Sequence, residues 1–523
     1  MFGLRWRTSL VVLVLMSLIL AACGGTPTTG GTTGEAPAAA TTPNAGAAAA
    51  TPDTGAAATT PDTGTGATDA ETATTTTDAA GGETATADAA GTDTTATAEG
   101  GEAVAEAEAT PAPTLTPAPG AVVLEYWEMD WGFQEVLQNL VNRFNQQNPN
   151  IYVKMTQLEW GDYMQKLTGA IAAGAPPDIS GGDGGMPFNF HAQGQVLPLD
   201  ELYTKWKSDG RFEDFTQWNQ DKWFYDGQYV GVSWQIDPRA IFYRESMFEA
   251  AGITPPTTHD ELLAAATKLT DPSKEQYGIC VPGKQGSYDT DQFYMTLVFQ
   301  NGGGLSDEQG NPTFDTPEHL EALRFEKELV AAAAPPGTPS YDFGQLAPLY
   351  EQGKCAMIFE GGWFIGQLEE EAPEVFEDTA ILPPLTGRGP NATQRIVGFY
   401  NPWMIYKQSK HPQEAMQFLD FMMSQENLRE IYASVRGKGS VYKSLRNDPL
   451  YQENEMTAEL ARQVEEYAVD YWYPNNIAAV GIGSLGTGIT DTIVNPVLAG
   501  AREPEDALRD AQEQLGPIFQ RQQ

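Results

Sequence analysis

EQGKCAMIFEGGWFIG, residues 351–366, is the stretch on which the fold turns. Cys355, Ala356, Met357, Ile358 and Phe359 form an unbroken apolar run bordered by glycine, which suits a short strand buried on both faces of an α/β sheet. At its end stand a carboxylate (Glu360), a Gly361-Gly362 pair and an indole (Trp363). Open α/β sheets bind ligands beyond the carboxyl ends of their strands, and two glycines admit a ligand close to the backbone. A carboxylate beside an indole can accept hydroxyl hydrogen bonds while the ring covers an apolar C–H face. That pairing suits a sugar better than a phosphate or a nucleobase. The same residues also fit a plain strand cap, with Trp363 in the core and Glu360 in water.

Around this stretch lies a chain of 523 residues, long enough for two or more domains. Residues 24–120 contain no Lys, Arg, Trp, Tyr or Phe and 13 acidic residues among Thr, Ala, Gly and Pro. Such a segment cannot bury enough apolar surface to offset its ordering entropy, so a disordered tether is expected. A flexible chain of that length has an end-to-end distance of about 50–60 Å. The net charge is −40, and no basic stripe interrupts it, which excludes nucleic acid and anionic membrane as general partners.

The first residues carry a separate message. Arg5 and Arg7 precede the apolar run Leu10–Leu20, and Leu20-Ala21-Ala22-Cys23 follows. The run is far short of the roughly 20 residues that span a bilayer, so it reads as a secretory signal over residues 1–22. The tetrapeptide resembles a bacterial lipobox, which implies lipidation of Cys23 and a tethered segment over 23–120. Two further cysteines, Cys280 and Cys355, lie in apolar runs expected to be strands (YGICV and KCAMIF). Outside the cytosol they could be oxidised. Two buried thiols are favoured over a disulfide by a narrow margin.

Beyond residue 120 strand and helix patterns alternate. AVVLEY (121–126) has the composition of a strand, with a loop expected from Trp127 to Gly132; Val136, Leu137, Leu140, Val141 and Phe144 recur at helical spacing. Ile151, Val153 and Met155 alternate as in a strand, Asp162 is the expected cap of the next helix, and GGDGG (181–185) follows a short strand at Asp178-Ile179. A strand is expected over 240–243 and a capping box at Thr258 and Glu261. Thr316-Pro317, Pro412 and Pro504 open further helices. Continued βα alternation implies a largely parallel sheet with helices on both faces, and its length favours two lobes.

In order, VLEYW, FNQQNPNIYVKM, AGAPPDI, AIFYRESMFEAAGITPPTTHDELLAAATKL, GKCAMIFEGGW, VGFYNPWMIYKQSKHPQEAMQFLDFM and EPEDALRDAQEQL resemble the sugar-binding family of extracellular solute-binding proteins that serve ABC importers, of which maltose-binding protein is one. The resemblance spans about 121–523. It implies the periplasmic-binding-protein-like α/β fold, with two lobes joined by crossing hinge strands and a ligand cleft between them. Carried over, lobe 1 holds residues 121–233 and 393–440, and lobe 2 holds 234–392 and 441–523, with hinge-spanning C-terminal helices. The implied protein is exported, lipid-anchored to the outer face of the membrane and a monomer. Its implied partners are a carbohydrate and the permease subunits of an ABC transporter, and no cofactor is implied.

Sugar rings ask for flat aromatic groups against their C–H faces and Asp, Glu, Asn or Gln around the hydroxyl rim. Among aromatics, Trp127, Trp131, Trp160, Trp234 and Trp363 lie at expected strand ends or loops, with Tyr288, Tyr400, and Trp472 or Tyr473 as alternatives in one stretch. Each also fits core packing. In the resembled family an indole after a G-G or G-P turn stacks on ligand, which favours Trp363 and, beside it, Gly361 and Glu360. The remaining polar candidates are Glu128, Asp183, Asp237, Asp289, Asn401 and Asn475, each also readable as a solvated or capping residue.

Catalysis finds little support in the residue inventory. The four histidines (His191, His259, His319, His411) form no HExxH motif, and no GxSxG elbow occurs. Gly481–Gly486 matches GxGxxG but lacks a βαβ context, so the match is read as accidental. Arg436-Gly437-Lys438-Gly439 reads as an exposed loop. The rival readings are the same fold holding a polyamine, peptide or glycerol phosphate ester, and, further off, a secreted glycoside hydrolase built on paired carboxylates.

Overall fold

In the computed structural model the described residues are 116–129, 132–474 and 488–520, excluding the side chains of Trp160, Gly161 and Gln520. All belong to one unit, Ala105–Gln523. The expectations for Cys23, the leader, the tether, Trp131, Asn475 and the 481–486 glycine motif fall outside them.

Ten strands organise the described chain: β1 (Val122–Met129), β2 (Ile151–Leu158), β3 (Ile179–Gly181), a small hairpin of β4 (Phe224–Tyr225) and β5 (Gln228–Tyr229), β6 (Val232–Arg244), β7 (Met357–Gly361), β8 (Thr379–Ile381), β9 (Ile396–Ile405) and β10 (Ala468–Asp470). The main order is β2-β1-β3-β9-β6-β7, with β10 beside β9 and β8 beside β6. β1 pairs in parallel with β2 from Val122↔Ile151 to Met129↔Leu158, and with β3. β9 is antiparallel to β3 and to β6.

β6 makes the crossing. Its first half, to Pro238, lies along β9. From Arg239 onward it lies along β7 and β8. Proline has no N–H for a ladder, and Pro238 stands where one set of partners gives way to the other. Its carbonyl still accepts from the Gly362 amide at 3.1 Å. Two α/β lobes are thereby threaded on one long strand. The helix Gln134–Gln147 covers the first sheet with Val136, Leu137, Leu140, Val141 and Phe144, as its spacing predicts. β7 is buried at every position, which fits the unbroken apolar run.

Several local expectations are corrected. β1 does not end at Tyr126; it continues through Trp127 and Glu128, which pair with Thr156 and Gln157, because the parallel ladder with β2 extends that far. Asp162 is not a cap but lies in the first turn of the helix Trp160–Ala172, whose N-cap is Glu159. The strand expected at 240–243 is the second half of β6. Thr258 does accept from the Glu261 amide, but the Glu261 carboxylate turns back to Thr257 rather than Thr258. YGICV forms only isolated bridges, Tyr277↔Cys355 and Cys280↔Ile358. Those bridges bring Cys280 and Cys355 together as a disulfide, with Cα atoms 5.9 Å apart, in place of the favoured pair of free thiols.

Candidate ligand-binding site

Charged and aromatic side chains from several elements meet where β6 changes partners. Arg239 is the centre. Its Nη1 lies 2.9 Å from Asp237 Oδ2, its Nε donates to Gln292 Oε1 at 2.5 Å, and its guanidinium lies 4.8 Å from the Phe399 ring centre. Asp237 is also paired with Lys438 at 2.8 Å, and all three side chains are nearly enclosed. Burial alone would raise the Asp237 pKa, but the two cations outweigh it and hold the carboxylate below its usual range.

Four nearby carboxyls make no ion pair among the described residues, although the Arg239 charge acts on Glu360 and Asp289. Glu360, at the end of β7, is only 7% exposed and accepts one long bond, from Gly361 N at 3.3 Å. Burial, and then the neighbouring Asp289, push its pKa well up. Asp289 and Asp291 sit in the first turn of the helix Tyr288–Gln300, whose N-cap is Ser287. Burial also raises Asp289. Asp291 accepts from Tyr471 Oη at 2.7 Å, and burial raises its pKa to about 8. In the loop after β3, Asp183 accepts from Gly185 N at 2.8 Å; burial raises it, with that bond and then Lys222 opposing, and its charge acts on Tyr288 and Asp291.

Glycines make the approach possible. A Cβ on Gly361 would lie 2.4 Å from Trp363 Nε1 and 2.9 Å from Arg239 Nη1. A Cβ on Gly362 would lie 1.9 Å from the carbonyl oxygen of Gly437, which itself has φ +80°. Trp363 is half-buried, in edge contact with Phe343 (5.5 Å) and Phe364 (5.9 Å). Tyr471 stacks on Phe399 at 5.3 Å and meets Trp472 edge-on. Tyr473 lies under the Arg395 guanidinium.

The structure therefore gathers Asp183, Asp237, Tyr288, Asp289, Glu360, Gly361 and Trp363, with Trp472 and Tyr473 along the Tyr471 turn. Other expected contacts are placed in packing roles. Trp234 is fully buried, stacked on Trp403 at 5.1 Å and edge-on to Phe133, because a register shift in β6 between Ser233 and Gln235 takes it out of the regular ladder. Glu128 is fully buried and accepts from Tyr126 Oη (2.5 Å), Trp403 Nε1 (2.8 Å) and Met129 N (3.0 Å). Tyr400 is buried beside Trp218, and Asn401 accepts from Gln235 Nε2 at 3.1 Å. Trp127 is half-buried against a small core with Met129 and Tyr163. Trp160 opens the helix Trp160–Ala172, and its side chain, being outside the described residues, is given no role. Arg436, expected in an open loop, pairs with Glu369 at 3.0 Å.

Sequence reading did not single out Arg239, Gln292, Asp291, Tyr471 or Phe343. One signal was available. Tyr288, Asp291 and Gln292 stand at i, i+3 and i+4, which share a helix face once a helix is started at the Ser287 cap. Among the described residues, no group of three or more His, Cys, Asp or Glu is placed to hold a metal ion.

The comparisons agree with this architecture. The family model described as bacterial extracellular solute-binding protein matches residues 130–428, and the chain belongs to that family. An ABC transporter solute-binding protein from Agrobacterium radiobacter K84, solved in complex with ribitol, is 26% identical; the match covers 76% of this chain and 99% of that one, with a TM-score of 0.67. A sugar transporter structure from Arthrobacter chlorophenolicus A6 with bound laminaribiose is 23% identical, covering 76% and 98%, with a TM-score of 0.66, and shares the fold. The arabinooligosaccharide-binding protein of Halalkalibacterium halodurans is 22% identical over 418 residues, 76% of this chain and 89% of its own.

Proposed function

We propose that this protein is a lipid-anchored extracellular receptor that captures a carbohydrate or polyol between its lobes and delivers it to an ABC transporter permease. The observation that carries the reading is the set of buried carboxyls and half-open aromatics around Arg239, drawn from both lobes and from the crossing strand. Carboxyls with raised pKa values can accept from, or when protonated donate to, sugar hydroxyls. A guest without those hydroxyls leaves desolvated polar groups unpaired, which discriminates against it. The ligands named for the ribitol-, laminaribiose- and arabinooligosaccharide-binding proteins fall in the same chemical class.

In this reading the lobe boundaries are 121–233 with 393–440, and 234–392 with 441–523, and Pro238 stands just past the first of them. The guest stabilises the closed form through its differential affinity for closed over open. No bond is broken. A thermal-shift screen of sugars and alditols tests the reading, because a guest that binds only the native state raises the midpoint. A panel of mono- and oligosaccharides and alditols that leaves the midpoint unmoved refutes it. Chromatography of the sugars after incubation should show no products; released products point to a glycoside hydrolase. The excess of site carboxyls over free cations supports a second reading, a polyamine guest, so spermidine belongs in the screen. For the anchor, Cys23→Ser should move the protein from the membrane fraction to the medium.

A further inference from the structure

Two zones with different solvent exposure adjoin at Trp363. The inner one, Asp237, Glu360 and Asp291, is enclosed. The outer one is open. Among the described residues four large apolar side chains are exposed, and two of them, Tyr288 (39%) and Phe343 (45%), flank Asp289. Tyr288 precedes Asp289 in the first helical turn, and the Phe343 amide lies near enough to the Asp289 carboxyl to favour its charged form. The Phe343 ring meets Trp363 edge-on at 5.5 Å, while Trp363 Nε1 sits over Gly361, beside Arg239. Trp363 therefore belongs to both zones. A polar rim completes the outer one: Lys284 pairs with Asp342 at 2.6 Å, directly before Phe343 in sequence.

Most large apolar side chains of this chain are buried, so two exposed aromatics at the edge of a binding site mark a surface that another body covers. Flat rings around a carboxylate, with a charged rim, suit a ring that has a C–H face and a hydroxyl edge. A compact solute held by Arg239 and Glu360 leaves the outer aromatics in water. We infer that Tyr288, Phe343 and Trp363 form an outer subsite around Asp289 for a second sugar ring, so that the guest is an oligosaccharide of at least two rings. The inference rests on the carbohydrate reading above and deepens it.

Isothermal titration with a matched series, monosaccharide, disaccharide and trisaccharide of whichever sugar moves the thermal midpoint, tests it. Wild-type affinity should step up between one ring and two. Phe343→Ala should shrink that step by about two- to twelvefold, the range expected for one aromatic contact. Phe343→Tyr, which keeps the ring, should restore it. Phe343 is exposed, and an unchanged melting midpoint of the free variant shows that its folding is intact. A wild-type protein that binds one ring as tightly as two, or a Phe343→Ala variant with an undiminished step, overturns the subsite while leaving the carbohydrate reading intact. A protein that binds no member of the series overturns both.

Discussion

Two regions of the molecule use aromatic side chains in opposite ways. In one, Trp206, Trp223, Trp234 and Trp403 are sealed in the core, and Trp234 and Trp403 lie parallel against each other. In the other, Trp363, Phe343 and Tyr288 stand partly in solvent beside carboxyls. The contrast teaches that tryptophan at a strand end is not by itself a ligand contact. What separates the two groups is whether neighbouring side chains enclose the ring. Trp234 is enclosed between Trp403 and Phe133, whereas Trp363 meets Phe343 and Phe364 edge-on and stays half-buried.

The largest effect that could break the contrast is on stability. Trp234→Ala should destabilise the protein by about 3–5 kcal/mol, the cost of emptying a buried aromatic site, measured by urea unfolding. Next is the buried ion pair. Lys438→Met removes one of the two cations holding Asp237 and should cost about 3 kcal/mol, since a buried charge loses a partner; a cost under about 1 kcal/mol would show that Arg239 alone suffices. Trp363→Ala should reverse the pattern set by Trp234. It should weaken sugar affinity more than tenfold, about 1.4 kcal/mol, with a smaller loss of stability, and unchanged affinity would remove Trp363 from the site.

Taken over a single pH unit, the smallest effect is a slope with pH. The Asp291 carboxyl is raised to about 8 in the folded chain, from an ordinary value near 4 when unfolded. The folded state therefore binds the proton more tightly, and the stability from this group is full below the unfolded value and is lost as pH rises through about 8. Unfolding free energy should fall by up to about 1.4 kcal/mol per pH unit across that window from this group alone. Asp291→Asn, which can still accept from Tyr471, should flatten the fall. An identical pH profile in the variant would place the titration elsewhere.

The wider lesson concerns which features are local. The order of strands and helices, the buried run at Cys355–Phe359 and the cap at Thr258 follow from short-range periodicity and turn chemistry, so they are legible along the chain. Asp237 and Glu360 were also visible, because both border strand residues. Arg239 was not, since its role depends on Gln292 and Phe399 arriving from two other elements to join Asp237 of its own strand. Glu128 and Trp234 carry the right chemistry for a sugar contact, but the extension of β1 and the register shift in β6 assign them to the interior.

By itself, the sequence determined the class of fold, the succession of apolar and capping residues, and the palette of indoles and carboxyls from which a site can be made. Only the tertiary structure decided which of those groups share a site, that Cys280 and Cys355 are joined, and that Asp237 stays charged while Glu360 and Asp291 are driven toward neutrality. The reason is physical. Secondary structure is set by interactions within a few residues, whereas burial and electrostatic environment are set by which distant segments pack around each side chain.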